Sequence, residues 1–194
     1  MRTYVLRGRA EARDRVSATI DRATLRELRV RGYDELRLTD VASRAGVALR
    51  TLYLRAPTKR VLVLGALRRR AAALARRVER WQPPAQSAAI LDDLVVLHER
   101  TYRTDRQLLE ILVGSGTPGA EEVLRSLDRV RLVLIRRAVD ALASAGSLRA
   151  RSEDATALAH AMLAYPTWRA ALTGPARRRA PRLIGSALRA ALLL

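Results

Sequence analysis

Nowhere along the 194 residues do Val, Ile and Thr alternate with polar residues over the length of a strand, whereas Ala, Leu and Arg dominate throughout. A half-buried strand needs that period of two, so the chain reads as all-α. The longest apolar runs, such as Val61 to Leu67, fall far short of the roughly 20 residues that a bilayer-crossing helix requires. The opening M-R-T-Y-V-L-R-G-R-A is basic but lacks the apolar stretch of a secretory signal. There is no cysteine, which removes disulfides, thiolate metal sites and cysteine nucleophiles and suits a reducing compartment. The expectation is a cytoplasmic protein with no membrane partner.

Charge narrows the class of partner. Lys and Arg total 37 against 19 Asp and Glu, a formal charge of +18 that makes a polyanion the first candidate. The excess is uneven: residues 1–80 hold 21 basic and 8 acidic side chains, residues 81–194 hold 16 and 11. Arg is also a good helix former that solvates helix faces, which accounts for much of Arg68 to Arg80 and Arg177 to Arg179. Every basic residue but Lys59 is Arg, a bias that coding composition explains as well as function does.

Helices can be placed from apolar spacing and from Gly and Pro. In a first helix over roughly residues 13–31, Val16, Ile20, Ala23 and Val30 fall within about 80° of one another, with Leu25 and Leu28 to the side. Gly32 suits the left-handed residue after its end. Two short segments follow, Val41 to Ala45 stopped by Gly46, and Leu49 to Arg55 stopped before Pro57. The next helix runs from the cap candidate Thr58 to about Trp81, where Pro83-Pro84 marks a boundary. Further helices are expected near 86–103, 105–114, 119–145, 152–173 and 176–193, with breaks at 115–119, Gly146 and Gly174-Pro175; Pro166 and Pro181 should kink or divide two of them.

The stretch from Thr39 to Tyr53, T-D-V-A-S-R-A-G-V-A-L-R-T-L-Y, carries the most information. Two short helices crossing steeply need a small residue where they touch, a glycine in the turn and apolar residues that lock the second onto the first. Ala42, Gly46 and Leu52 supply these, and Val41, Ala45 and Val47 complete the apolar set. With Ala48 as N-cap, Val47 and Leu52 have the spacing of a hydrophobic staple. Leu49, Arg50, Thr51 and Tyr53 then remain for the surface of a helix too short and polar to be a core element. Arg50 suits guanine edges, Leu49 or the Thr51 methyl suits thymine methyls, and Tyr53 suits a phosphate. A tight hairpin inside any helical protein, with these residues simply solvated, is the plain alternative.

Ile20 to Leu67, with R-G-Y at 31–33, D-V-A-S-R-A-G-V at 40–47, T-L-Y at 51–53 and P-T-K at 57–59, resembles the N-terminal domain of TetR-family transcriptional regulators. The resemblance implies a three-helix helix-turn-helix DNA-binding head with its N-terminal arm over 1–57, a linking helix over 58–82, and a larger helical effector-binding and dimerisation domain over 83–194. It implies a homodimer on double-stranded DNA with a palindromic operator, a repressor released by a small-molecule effector, and no cofactor. The groove-entering helix would be Ala48 to Arg55, and Thr51, Tyr53 and Lys59 match positions that commonly touch DNA. The candidate DNA-binding residues are therefore Arg44, Ala48, Leu49, Arg50, Thr51, Tyr53, Arg55 and Lys59. Three positions depart from the family pattern: Ala48 and Arg37 stand where Ser or Thr usually caps, and Ala56 stands where an aromatic usually follows T-L-Y.

In the remainder, Leu91, Val95, His98 and Tyr102 share one helix face, and Ala161, Tyr165, Trp168 and Leu172 share another. In the family's arrangement His98, Tyr102, Tyr165 and Trp168 would orient an effector; the same spacing also serves an ordinary core. Ala155, Ala157, Ala159, Ala161 and Ala164, with Gly185, Ala187, Ala190 and Ala191, would let the last two helices approach closely and pair with their copies. Catalysis is not expected. His98-Glu99 begins like a zinc-protease motif, but Tyr102 occupies the second ligand's place, and there is no G-x-S-x-G, Walker-A or G-x-G-x-x-G pattern. The competing reading is a basic helical module that binds nucleic acid or anionic surfaces without sequence specificity.

Overall fold

The computed structural model describes residues 2–114, 117–175 and 177–194. Its helices are α1 (Arg2–Glu35), α2 (Leu38–Ala45), α3 (Leu49–Arg55), α4 (Lys59–Glu79), α5 (Ser87–Gly114), α6 (Ala120–Ser144), α7 (Ser152–Met162), α8 (Tyr165–Thr173) and α9 (Ala180–Leu192). Extended pairing among the described residues is confined to an antiparallel bridge between Leu148 and Leu193. The all-α expectation holds.

Several boundaries differ from the sequence-based placement, each for a local reason. α1 begins at Arg2, well before residue 13, and is interrupted at Gly32, whose φ of 77° is the positive value expected there. The predicted helices 86–103 and 105–114 are a single helix, because nothing in Thr104 or its neighbours breaks the backbone ladder. The predicted helix 152–173 divides into α7 and α8, with Pro166 in the first turn of α8, where its missing N–H has no partner to lose. Pro181 takes the same role in α9, which therefore starts at Ala180 and not at 176. Ser115 and Gly116 of the predicted break, and Ala176, lie outside the described residues.

The chain forms two compact units. The first is Met1–Ala73 with Glu110–Leu124. There α1 packs on α2 and α2 on α3, around Ile20, Ala23, Leu28, Val41, Ala42, Ala45, Leu52, Ala56, Leu62, Val63 and Leu67, all buried. Val30, expected on this face, is 70% exposed. The buried arc of α1 is turned toward Thr24 and Leu28, which leaves Val30 outside its edge. Arg68 pairs with Glu122 at 2.7 Å, and Gly119, 2.9 Å from a Leu64 methyl at its would-be Cβ, has a φ of 85° that side chains resist.

The second unit is Leu74–Leu109 with Arg125–Leu194. One continuous core holds Ile90, Leu91, Leu94, Ile135, Ala138, Leu142, Leu163, Trp168, Leu188 and Leu192. α9 packs against both α7 and α8. No helix among the described residues is long and apolar enough to cross a membrane.

Candidate nucleic-acid interface

α2 ends at Gly46, which has φ 64° and ψ 34°. Its N–H donates to Ser43 O at 3.1 Å while the Val47 N–H donates to Ala42 O at 3.0 Å. These paired bonds are a Schellman turn, which satisfies the last carbonyls of α2 and sends the chain back across it. α3 then starts after Ala48, an extended residue (φ −65°, ψ 141°) with no side-chain cap. Leu52 is fully buried, as the staple spacing requires.

What α3 leaves outward is a polar and apolar stripe. Arg50, Tyr53 and Leu54 are exposed, at positions i, i+3 and i+4 of one face. Leu49, Thr51 and Arg55 flank it half-buried, and Ala48 is exposed at its N-terminal end. Leu54, 79% exposed, was not among the predicted contacts, although a large apolar side chain left in water on so short a helix is informative. A helix fixed by one leucine and presenting arginine, tyrosine and leucine together can enter a major groove and touch base edges, methyls and phosphates.

Three other predicted residues hold the head together. Arg44 donates from Nε to Glu27, and Arg31 donates to the same carboxylate at 3.1 Å while lying 3.4 Å from Asp40. Glu27 is 1% exposed, so α1 and α2 are joined by a buried carboxylate gripped by two guanidinium groups. The signal was present in the sequence: on the helical wheel Glu27 lies within the arc spanned by Val16, Ile20 and Ala23, where a lone acid needs partners. Arg55 donates to the Arg13 carbonyl at 3.1 Å. Lys59 donates to the Asp34 carbonyl at 3.0 Å and stands 4.8 Å from the centre of the Tyr33 ring, tying the start of α4 to the end of α1. Thr58 caps α4, its hydroxyl accepting from the Val61 N–H at 3.2 Å. Arg37 precedes α2 with no side-chain cap bond.

Residues 20–66 match the family described as bacterial regulatory proteins, tetR family. The chain has a TetR-family head. Among curated proteins there is no match. Among solved structures, a transcriptional regulator from Saccharomonospora viridis in complex with choline is 19% identical with a TM-score of 0.73, covering 95% of this chain and 99% of that one. A TetR-family regulator from Mesorhizobium loti is 16% identical with a TM-score of 0.70, over 93% and 98% of the two chains. FadR from Bacillus subtilis in complex with stearoyl-CoA is 13% identical with a TM-score of 0.64, over 88% and 96%. At these identities the likeness is one of fold, and that fold is the helical TetR fold.

In the second unit the four residues singled out by sequence come together. The ring of Tyr102 meets His98 at 5.8 Å, Tyr165 at 5.3 Å and Trp168 at 5.7 Å between centroids, all edge-on. All four are buried. Tyr102 donates its hydroxyl to Leu163 O at 2.6 Å and Tyr165 to Arg106 O at 3.4 Å. The His98 Nδ1–H donates to Leu94 O at 2.8 Å, which sets the neutral tautomer. Burial, the larger influence, and the nearby Arg131 charge lower the imidazole to about 4. Burial likewise raises the Tyr102 phenol. Trp168 Nε1 is buried without an acceptor. His160, the other histidine, faces Arg131 at 2.8 Å.

Proposed function

We propose that the protein is a dimeric, sequence-specific DNA-binding transcriptional repressor of the cytoplasm, released from a palindromic operator by a small-molecule effector. The observation that carries the reading is the division of α3: Leu52 is sealed into the head while Arg50, Tyr53 and Leu54 stand in water. Residues 1–57 are the reading head, 58–82 link it, and 83–194 hold the effector and the dimer contact. Arg50, with Leu49, Thr51 and Leu54, reads bases. Ala48 lets the backbone approach, and Tyr53, Lys59, Arg44 and Arg55 meet phosphates with the donor capacity their intramolecular bonds leave.

A dimer is supported by apolar surface on α7 and α9. Leu158 is 39% and Leu183 51% exposed, alongside exposed Ala157, Ala161, Ala187 and Ala190. Small residues at this spacing allow a close four-helix contact between two copies. An effector is supported by the aromatic cluster, where the buried Trp168 N–H offers a hydrogen bond to a ligand acceptor. Such a ligand acts only by its different affinity for two arrangements of the heads, typically about 1–3 kcal/mol of coupling.

Selection of bound duplexes from a random pool tests the reading. The expected product is a two-fold symmetric sequence with half-sites about one helical turn apart, or a multiple of it, bound with steep salt dependence. If random duplex displaces the protein from every selected sequence equally well, the protein is a basic module without sequence preference and the proposal fails.

A further inference from the structure

The head contains a concavity that shares only Arg55 with the proposed DNA contacts. It is about 550 Å³ in volume and lies among α1, the end of α3 and α4. Its floor is largely apolar, with Ile20, Ala56, Val61, Leu62 and Leu64 in the lining beside Ser17 and Gly65. Around it stand five arginines, Arg13, Arg55, Arg60, Arg68 and Arg69, with Asp21 as the sole acid of the lining. Asp21 is already engaged by Arg69 through two guanidinium nitrogens, and Arg68 is paired with Glu122. Arg55 is bonded to a carbonyl. Among the described residues neither Arg13 nor Arg60 faces an acidic partner.

From this arrangement we infer that the groove is a second small-molecule site, one that takes an amphipathic organic acid: a compact apolar body on the Ile20–Ala56–Leu64 floor, with a carboxylate or sulfonate held by Arg13 and Arg60. Three observations converge. The volume is that of a small-molecule pocket, for which roughly 300–1,000 Å³ is usual. The lining includes apolar side chains, the exposed Val61 among them, that a phosphodiester backbone does not complement. The rim concentrates unneutralised guanidinium groups in a recess, where an anion is held more strongly than on an open surface. Ala56 makes the room; a larger side chain at the foot of α3 would occupy the floor. Because Arg55 and Ala56 also end α3, an occupant touches the base of the reading helix. This inference stands apart from the aromatic cluster of the second unit and does not depend on there being an operator.

The test uses the full-length, nitrogen-15-labelled protein titrated with 2-naphthoate, and separately with inorganic phosphate. Gly65 lines the groove, and its amide is one of at most ten glycine signals. Saturable movement of Gly65 with naphthoate, while Gly146, Gly174 and Gly185 of the other unit stay still, is the expected result. Ala56→Phe should abolish it by filling the floor. Arg60→Glu, at an exposed position that the core does not need, should weaken binding by about tenfold or more through loss of a charge-assisted bond. Should the phenylalanine variant fail to fold, the Arg60 variant decides alone. The inference is overturned if Gly65 is unmoved, if Arg60→Glu binds as tightly as the parent, or if phosphate alone moves Gly65 as far as naphthoate does.

Discussion

His98 should make the second unit sensitive to mild acid. Its imidazole is fully enclosed, donates from Nδ1 to Leu94 O, faces the Tyr102 ring edge and feels Arg131 from α6; its protonated form is disfavoured and its pKa falls from 6.5 to about 4. An unfolded chain therefore takes up the proton as pH drops below 6.5 while the folded one refuses it. Stability from this group is complete above that value and is lost as pH falls toward 4. At pH 5 the loss is about 2 kcal/mol, and it levels at about 3 kcal/mol in stronger acid. Carboxylates titrate in the same range, so the comparison is with His98→Gln, which keeps a donor but does not titrate. Urea unfolding of both proteins at pH 7 and pH 5 should show the parent losing about 2 kcal/mol more than the variant. Imidazole signals followed by NMR give the site directly, because the chain has only two histidines. Equal losses in parent and variant, or a His98 signal titrating near 6.5, would refute the reasoning.

Other consequences can be checked on the head and on the exposed face of α9. Arg50→Ala should change base preference at one operator position, worth about 1–3 kcal/mol, whereas Lys59→Ala should weaken all sequences alike and lower the salt slope by about one; competition with single-base variants of the selected site separates the two. Glu27→Gln removes the charge gripped by Arg31 and Arg44, and because both arginines are half in water the loss should be about 2 kcal/mol, read by urea unfolding. Ala48→Ser supplies the hydroxyl that α3 lacks at its N-cap and should stabilise the head by about 1 kcal/mol, seen as slower amide exchange in α3. Leu183→Glu puts charge on the exposed face of α9 and should leave the protein monomeric by sedimentation.

Local chemistry carried a large part of the fold. Gly46 with Ala42 and Leu52 dictated a helix, a left-handed turn and a second helix locked by one leucine, and each piece stands as the sequence pattern implied. Thr58 and Pro166 likewise act through their nearest neighbours, as a cap and as a first-turn residue, and need no distant partner. The 4-3-4 spacing of Leu91, Val95, His98 and Tyr102 placed a single buried face on α5, because helical periodicity alone decides which side chains share a side.

Tertiary structure decided what periodicity leaves open. Which edge of the α1 arc is covered depends on the position of its neighbours, so Val30 lies in water while Thr24 and Glu27 are enclosed. Whether Arg44, Arg55 and Lys59 point to a ligand or to their own chain depends on acceptors that are 17, 42 and 25 residues away in sequence. The arginine-rimmed groove gathers residues from 13 to 69, and no local pattern describes it. A side chain's type is written in the sequence, but its partner is set by the packing of elements brought together only when the chain closes on itself.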